Sequence, residues 1–449
     1  MAITNFSPTQ PSNTRLGLHY FPDTLHYREA DLQTWLPELQ ALGVSWLVLR
    51  SEHDRAIPEH FLRGLKQAGI RPLIQFAFSL EQMPDLKEIG MLWEVYARWG
   101  ANHVIFYDRP NGRAAWPVSG WLQQDLVECF LDRYLPAAAL ALQIGLTPVF
   151  PPLEPGGSYW DTAFLRSALQ AMQRRKQEEL LQRLVLSAYG WTGGHSLNWG
   201  AGGPERWPQA RPYQLLAGGQ DQRGFRIADW YLAIARSVLQ QSCSILLLQA
   251  GVAASPLAKS GLVVSQEQAA TSASLARLLA GEEAADPQAA GSLLEPLPEQ
   301  LIACNFWLLS AAPGSPHLNQ AWFEDSEHRR PVVDEIRTWR RERKAQAPVS
   351  SSGDGFAKDS RSIRHYLLLP GYEWGVSDWY LEVIRPFVKK YRPTVGFSPE
   401  EAEKAARVTV VGNPQNYPES LLDRLEKSGC QVEQIGGDGT NIATELSVR

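Results

Sequence analysis

Cysteine is scarce in this chain: four in 449 residues, Cys129, Cys243, Cys304 and Cys430, scattered and without any CxxC spacing. That excludes a zinc ribbon and a disulfide framework, and the four are read as buried thiols. Excess charge of either sign is also missing. A net charge of -5 gives no electrostatic basis for binding nucleic acid. No run approaches the roughly 18 apolar residues of a membrane span, and the first fifteen residues hold no apolar stretch of the kind a signal peptide needs. The expectation is a soluble, cytoplasmic protein, with association at a cell surface left open. His53 and His195 sit in loop-like segments without metal-ligand spacing. The glycine-rich WGAGGPERWP lacks both the Lys-Ser/Thr ending of a phosphate loop and a GxGxxG pattern. No metal and no cofactor are expected. The oligomeric state is not readable.

What is present is globular: 44% hydrophobic and 20% charged residues, with 16 tryptophans. Indole faces stack on the apolar faces of sugar rings, and they also serve as large core residues. The length calls for two domains. Eight short apolar runs alternate with amphipathic segments such as DLQTWLPELQALG, the pattern of a parallel sheet with helices outside it. The runs are LGLHY at 16, VSWLVLR at 44, IRPLIQFAF at 70, HVIFYD at 103, LTPVF at 146, LVLSAY at 184, SILLLQAG at 244 and ACNFWLLS at 303. Eight units predict a closed (β/α)8 TIM barrel. RPYQLLAGG at 211 could also pass for a strand. It is set aside because GFRIADWYLAIARSVLQQ after it is the only helix available between strands six and seven. The loops after strands four to six, DRPNGRAAWP, PPLEPGGSYWD and GWTGGHSLNWGAGGPERWP, fall on the C-terminal face, where such barrels place their active sites.

The expected organisation is a tail over 1–15, the barrel over 16–344, a linker over 345–362 and a small α/β domain over 363–449. In the last, HYLLLP, a helix through DWYLEVIRPFVKKY, VTVVG, a helix PESLLDRLEKSGC and VEQIGG make a β-α-β-α-β pattern.

At the strand ends the barrel resembles the clan A glycoside hydrolases, which hold their two catalytic glutamates at the ends of strands four and seven. Strand four here ends Tyr107-Asp108-Arg109-Pro110-Asn111 and strand seven Leu248-Gln249-Ala250-Gly251. The resemblance puts Arg109 at the acid/base position and Gln249 at the nucleophile position. It also implies that Arg50 at the end of strand two orients the nucleophile position, that Tyr189 at the end of strand six contacts it, and that Trp307 within strand eight floors the central sugar, with Asn111 beside the acid/base position as a further substrate contact. An amide is no effective nucleophile at an anomeric carbon, and an arginine with pKa above ~12 is no useful proton donor near neutrality.

Other carboxylates stand on the same face: Asp108, Glu154, and Glu52 with Asp54. Asp108 and Glu154 make the catalytic alternative, an unconventional or inverting pair. His19 on strand one is read either as a hydroxyl ligand or proton shuttle in the mouth, or as a hydrogen-bonded core histidine. Trp160, Trp191, Trp199 and Trp207, crowded into the loops after strands five and six, are candidates for stacking on sugar. Two functions therefore stand side by side: a glycoside hydrolase-like barrel acting on or binding a carbohydrate, and a non-catalytic glycan-binding or scaffold protein of a cell-surface system.

The segment Ala406 to Leu446 resembles one unit of the type 2 cell-wall-binding repeats through Val411-Gly412, Gly429, Ile435-Gly436 and Ala443-Thr444. A docking domain covering one side of the barrel is the other reading of it.

Overall fold

A computed structural model describes residues 13–252, 261–289, 291–346, 363–370, 384–385, 387–388, 393–412, 417 and 419–436. The chain divides into two compact units, Met1–Pro348 and Val349–Arg449.

The first unit is a closed barrel of eight parallel strands in sequence order: β1 (Leu16–His19), β2 (Trp46–Ser51), β3 (Arg71–Phe76), β4 (His103–Phe106), β5 (Thr147–Val149), β6 (Val185–Trp191), β7 (Ser244–Gly251) and β8 (Leu301–Phe306). Closure is made by β8 on β1, with Leu16 opposite Cys304 and Leu18 opposite Phe306. All eight expected runs are strands. RPYQLLAGG makes only an isolated bridge between Arg211 and Gln214, and the helix Ile227–Leu239 fills the step between β6 and β7.

Alternation along each strand separates two cores. Trp46, Val48, Leu73, Ile105, Val149 and Leu246 fill the barrel interior. Their neighbours in sequence, among them Leu47, Leu49, Val104 and Phe106, pack outward against the helices. The helix Leu86–Trp99 begins where Asp85 caps it, accepting from Lys87 and Glu88 N–H, and ends on a left-handed glycine, Gly100. Trp307 follows the last residue of β8 instead of lying within the strand, and its peptide bond to Leu308 is cis. Three of the four cysteines are buried; Cys129 is half-buried. Among the described residues no helix is long and apolar enough to cross a membrane.

In the second unit β9 (Ile363–Leu368), β10 (Thr394–Gly396), β11 (Ala405–Val411) and β12 (Gln431–Ile435) form a parallel sheet in the order β10-β9-β11-β12. Three strands were expected. The fourth, β10, is a three-residue edge strand whose Thr394 and Val395 face solvent, so no apolar run marks it in the sequence. The first helix of the pattern is helical at 384, 385, 387 and 388, and the rest of it lies outside the described residues, as do the tail over 1–12 and most of the linker, from 347 to 362. Gly429 carries φ +82° in the turn into β12, where a side chain would be strained. Ala443-Thr444 lies outside the described residues.

Candidate functional site

The mouth of the barrel is shaped first by an irregularity. Between β6 and β7 the register runs from Ala188 opposite Leu247 to Tyr189 opposite Gln249, so Leu248 is an extra residue. On the other edge the pairing skips from Leu247–Cys304 to Ala250–Phe306. Strict alternation after the inward Leu246 and Leu248 would send Gln249 out to the helices. The bulge instead sets it opposite the inward Tyr189.

A bulge frees backbone groups, and buried ones need partners. Asn305 Nδ2 donates to the Leu247 carbonyl at 2.8 Å, and His19 Nε2 lies 2.6 Å from the Leu248 carbonyl. A carbonyl only accepts, so His19 carries its proton on Nε2. Burial holds its pKa down at about 3, which keeps the ring neutral. His19 is thus the hydrogen-bonded core histidine: its Nε2–H is committed to the bulge and cannot shuttle protons. Gly17 belongs to the same device, since a Cβ there would stand 2.1 Å from Asn305 Oδ1.

Beyond β4 the chain turns sharply, with Tyr107 at φ +66° and Arg109 at φ +47° on either side of Asp108. Buried Asn111 joins this loop to the one after β5. Its Nδ2 donates to the carbonyls of Glu154 and Tyr159, and its Oδ1 accepts from Glu154 N–H. Asn111 is therefore spent on the backbone and does not reach the mouth as a sugar contact. The clamp brings Glu154 to Arg109, whose Nε lies 2.8 Å from Glu154 Oε2 and 4.0 Å from Asp108 Oδ1. The closer contact is an ion pair without hydrogen-bond alignment.

Tyr189 OH donates to Asp108 Oδ1 at 2.5 Å, and the Arg109 guanidinium stands 4.5 Å over the Tyr189 ring, a cation-π contact. Burial, then the neighbouring Asp108, pushes the Tyr189 phenol well above its usual pKa. For Arg109 burial works toward a lower pKa, but Tyr189, Asp108 and Glu154 together outweigh it and raise the value, so the guanidinium stays charged. A cleft of about 520 Å³ opens here, lined by Asp108, Arg109, Arg113, Glu154, Gly156 and Ser158 among others.

The remaining predicted residues divide. Arg50, next to last in β2, donates from Nη1 to the Pro22 carbonyl at 2.9 Å. Trp191, at the end of β6, and Trp307 are half-buried, the latter with the rings of His19 and His317 against it at 4.8 and 5.4 Å. Trp160 is buried, with the Arg223 guanidinium 5.6 Å over its ring, and so cannot offer an open face to a sugar. Trp199 stacks on His195 at 4.0 Å, which covers one face. Trp207 is half-buried and donates to the Ala201 carbonyl. Glu52 and Asp54 are exposed on the loop after β2.

Two residues that the sequence pattern did not single out support the site. Asp161, fully buried at the start of the helix Asp161–Arg174, accepts from Gly156 N–H, Gln222 Nε2 and Tyr231 OH at 2.9, 2.7 and 2.9 Å. It ties the turn after Glu154 to the helix Ile227–Leu239. Tyr213, in the segment weighed only as a strand, accepts from Trp160 N–H at 3.1 Å. An acid directly after a Trp at a loop end was the available signal for Asp161; nothing pointed to Tyr213.

No protein-family model matches the chain, and no curated protein matches it. Solved structures do. A β-galactosidase from the psychrophilic Marinomonas ef1 matches at 11% identity over 95% of this chain and 76% of its own, with a TM-score of 0.33. A Penicillium canescens endo-1,4-beta-xylanase matches at 13% identity, 72% and 94% coverage and a TM-score of 0.39. An L-ribulose 3-epimerase matches at 10% identity, 76% and 99% coverage and a TM-score of 0.35. Likeness at this level assigns no activity, and the barrel rests on its own strand pairing.

Proposed function

We propose that the mouth of this barrel binds carbohydrate without hydrolysing it. The observation that carries the reading is the place of Arg109. A glycosidase leaves the space between its two carboxylates open for the scissile bond, with the pair about 5 to 5.5 Å apart for retention and about 6.5 to 9.5 Å for inversion. Asp108 and Glu154 both lie against the Arg109 nitrogen, at 4.0 and 2.8 Å, so their oxygens are no more than about 7 Å apart, and the charged guanidinium is engaged with both carboxylates that would have to do the chemistry. Gln249, paired across the bulge with the inward Tyr189, is an amide where attack would need a carboxylate. What remains suits hydroxyl recognition. The second Asp108 oxygen and the Gln249 amide have no hydrogen-bond partner among the described residues, and half-buried Trp191 and Trp307 stand at the ends of the two strands that flank β7.

The test is a panel of oligo- and polysaccharides assayed by calorimetry for binding and by reducing-end release for turnover, with Asp108→Asn in parallel. The expected result is saturable binding without product, weakened in Asp108→Asn. Product release that disappears in Asp108→Asn would establish the Asp108/Glu154 pair as a hydrolase instead. Absence of binding across the panel would remove the carbohydrate reading altogether.

A further inference from the structure

We infer that Tyr213 is the platform of a second sugar subsite beyond the mouth, so that the ligand is an oligosaccharide spanning at least two rings. The inference rests on the carbohydrate reading above and adds to it a site and a minimum ligand length.

Arg211 to Gln214 form a tight turn, closed by Gln214 N–H donating to the Arg211 carbonyl at 3.3 Å, with Pro212 and Tyr213 at its centre. Tyr213 has φ +62°. Proline followed by a residue of positive φ is the pattern of a type II turn, and its second central position ordinarily takes Gly or Asn, because a bulky side chain is strained there. Here the position holds a tyrosine that is 67% exposed. Neither turn formation nor core packing accounts for that choice. A role for the exposed ring does.

The ring is held still and lies next to the cleft. Its hydroxyl accepts from Trp160 N–H at 3.1 Å and lies 3.5 Å from the carbonyl of Ser158, a residue of the cleft wall. Behind it stands buried Trp160, ring centroids 5.0 Å apart and tilted by 59°, itself backed by Arg223. An immobilised, solvent-facing aromatic ring binds a pyranose by its apolar C–H face with little further loss of side-chain freedom. Its contact with Ser158 sets it beside the Asp108–Glu154 cleft, where the next ring of a bound chain would lie.

The experiment titrates the full chain by calorimetry with β-1,4-gluco-, β-1,3-gluco- and chito-oligosaccharides from one to six rings. The variants are Tyr213→Phe, which keeps the ring, and Tyr213→Asn, which removes the ring but is suited to positive φ and so preserves the turn. The parent is expected to bind four- to six-ring ligands at least tenfold more tightly than one ring of the same series. Tyr213→Asn should lose roughly tenfold on the longer ligands and leave the single ring unchanged, while Tyr213→Phe, which keeps the ring but loses the hydroxyl that anchors it, should fall between the parent and Tyr213→Asn. Affinity independent of length, or an equal loss at all lengths in Tyr213→Asn, overturns the platform while leaving the carbohydrate reading intact. Absence of binding to any series overturns both.

Discussion

His19 offers the sharpest physical test of how the mouth is built. Its ring is 1% exposed, its Nε2–H is committed to the Leu248 carbonyl at the bulge, and its pKa is held at about 3 by burial. An unfolded chain protonates the same ring near its ordinary 6.5. With the folded value lowered, the unfolded state takes up the proton first, so the stability due to neutral His19 is complete above about pH 6.5 and is lost as pH falls toward about 3. Each pH unit within that window removes about 1.4 kcal/mol, so at pH 4.5 the loss is about 3 kcal/mol. His19→Gln keeps an N–H for the carbonyl and cannot titrate. Urea denaturation of both proteins, followed by tryptophan fluorescence from pH 7.5 to 4.5, reads the difference. At pH 7.5 the variant should be less stable, by about 1 to 2 kcal/mol for imperfect packing. Toward pH 4.5 the parent should lose about 3 kcal/mol relative to the variant, closing or reversing the gap. His103, whose pKa burial lowers to about 4, titrates in both proteins and cancels. Parallel stability curves across the whole range would refute a buried neutral His19 capping the bulge.

Two further outcomes follow from single contacts. Asp161→Ala leaves Gly156 N–H, Gln222 and Tyr231 without their acceptor in a buried place, and should lower stability by about 3 kcal/mol in denaturant titrations; a loss under about 1 kcal/mol would mean that the loop after β5 is held by other contacts. Tyr189→Phe keeps the ring beneath Arg109 and deletes only the bond to Asp108, whose half-exposed carboxylate can turn to water. It should cost about 1 kcal/mol, and a loss near 3 kcal/mol would show that the phenol, not the loop backbone, holds Asp108 in place.

The sequence by itself determined the barrel. Eight apolar runs, each short enough for a strand and each followed by a helical segment, leave few ways to bury their faces other than closing a parallel sheet. It also showed which residue types stand at the strand ends, because those positions follow directly from counting along the runs. It did not reveal edge strand β10, three residues long with two of them facing water, which has no apolar signature. Nor could it reveal the bulge. Within Ser244–Gly251 the extra residue is one leucine among three in a row, and every register places a leucine inward until the partner strands decide which one is surplus.

The tertiary structure alone decided what the mouth residues do. It buried Asn111 and His19 as clamps on freed backbone groups, and it covered Trp160 and one face of Trp199. It drew Asp108 and Glu154 together around the Arg109 Nε. Exposure and ion pairing depend on which loops meet, and these loops lie tens of residues apart in the chain, so local pattern carries no record of them. Tyr213 shows the same limit. Its segment reads as a weak strand, and only the turn it occupies, with the neighbours that pin it, turns an ordinary tyrosine into an exposed, fixed ring beside the cleft.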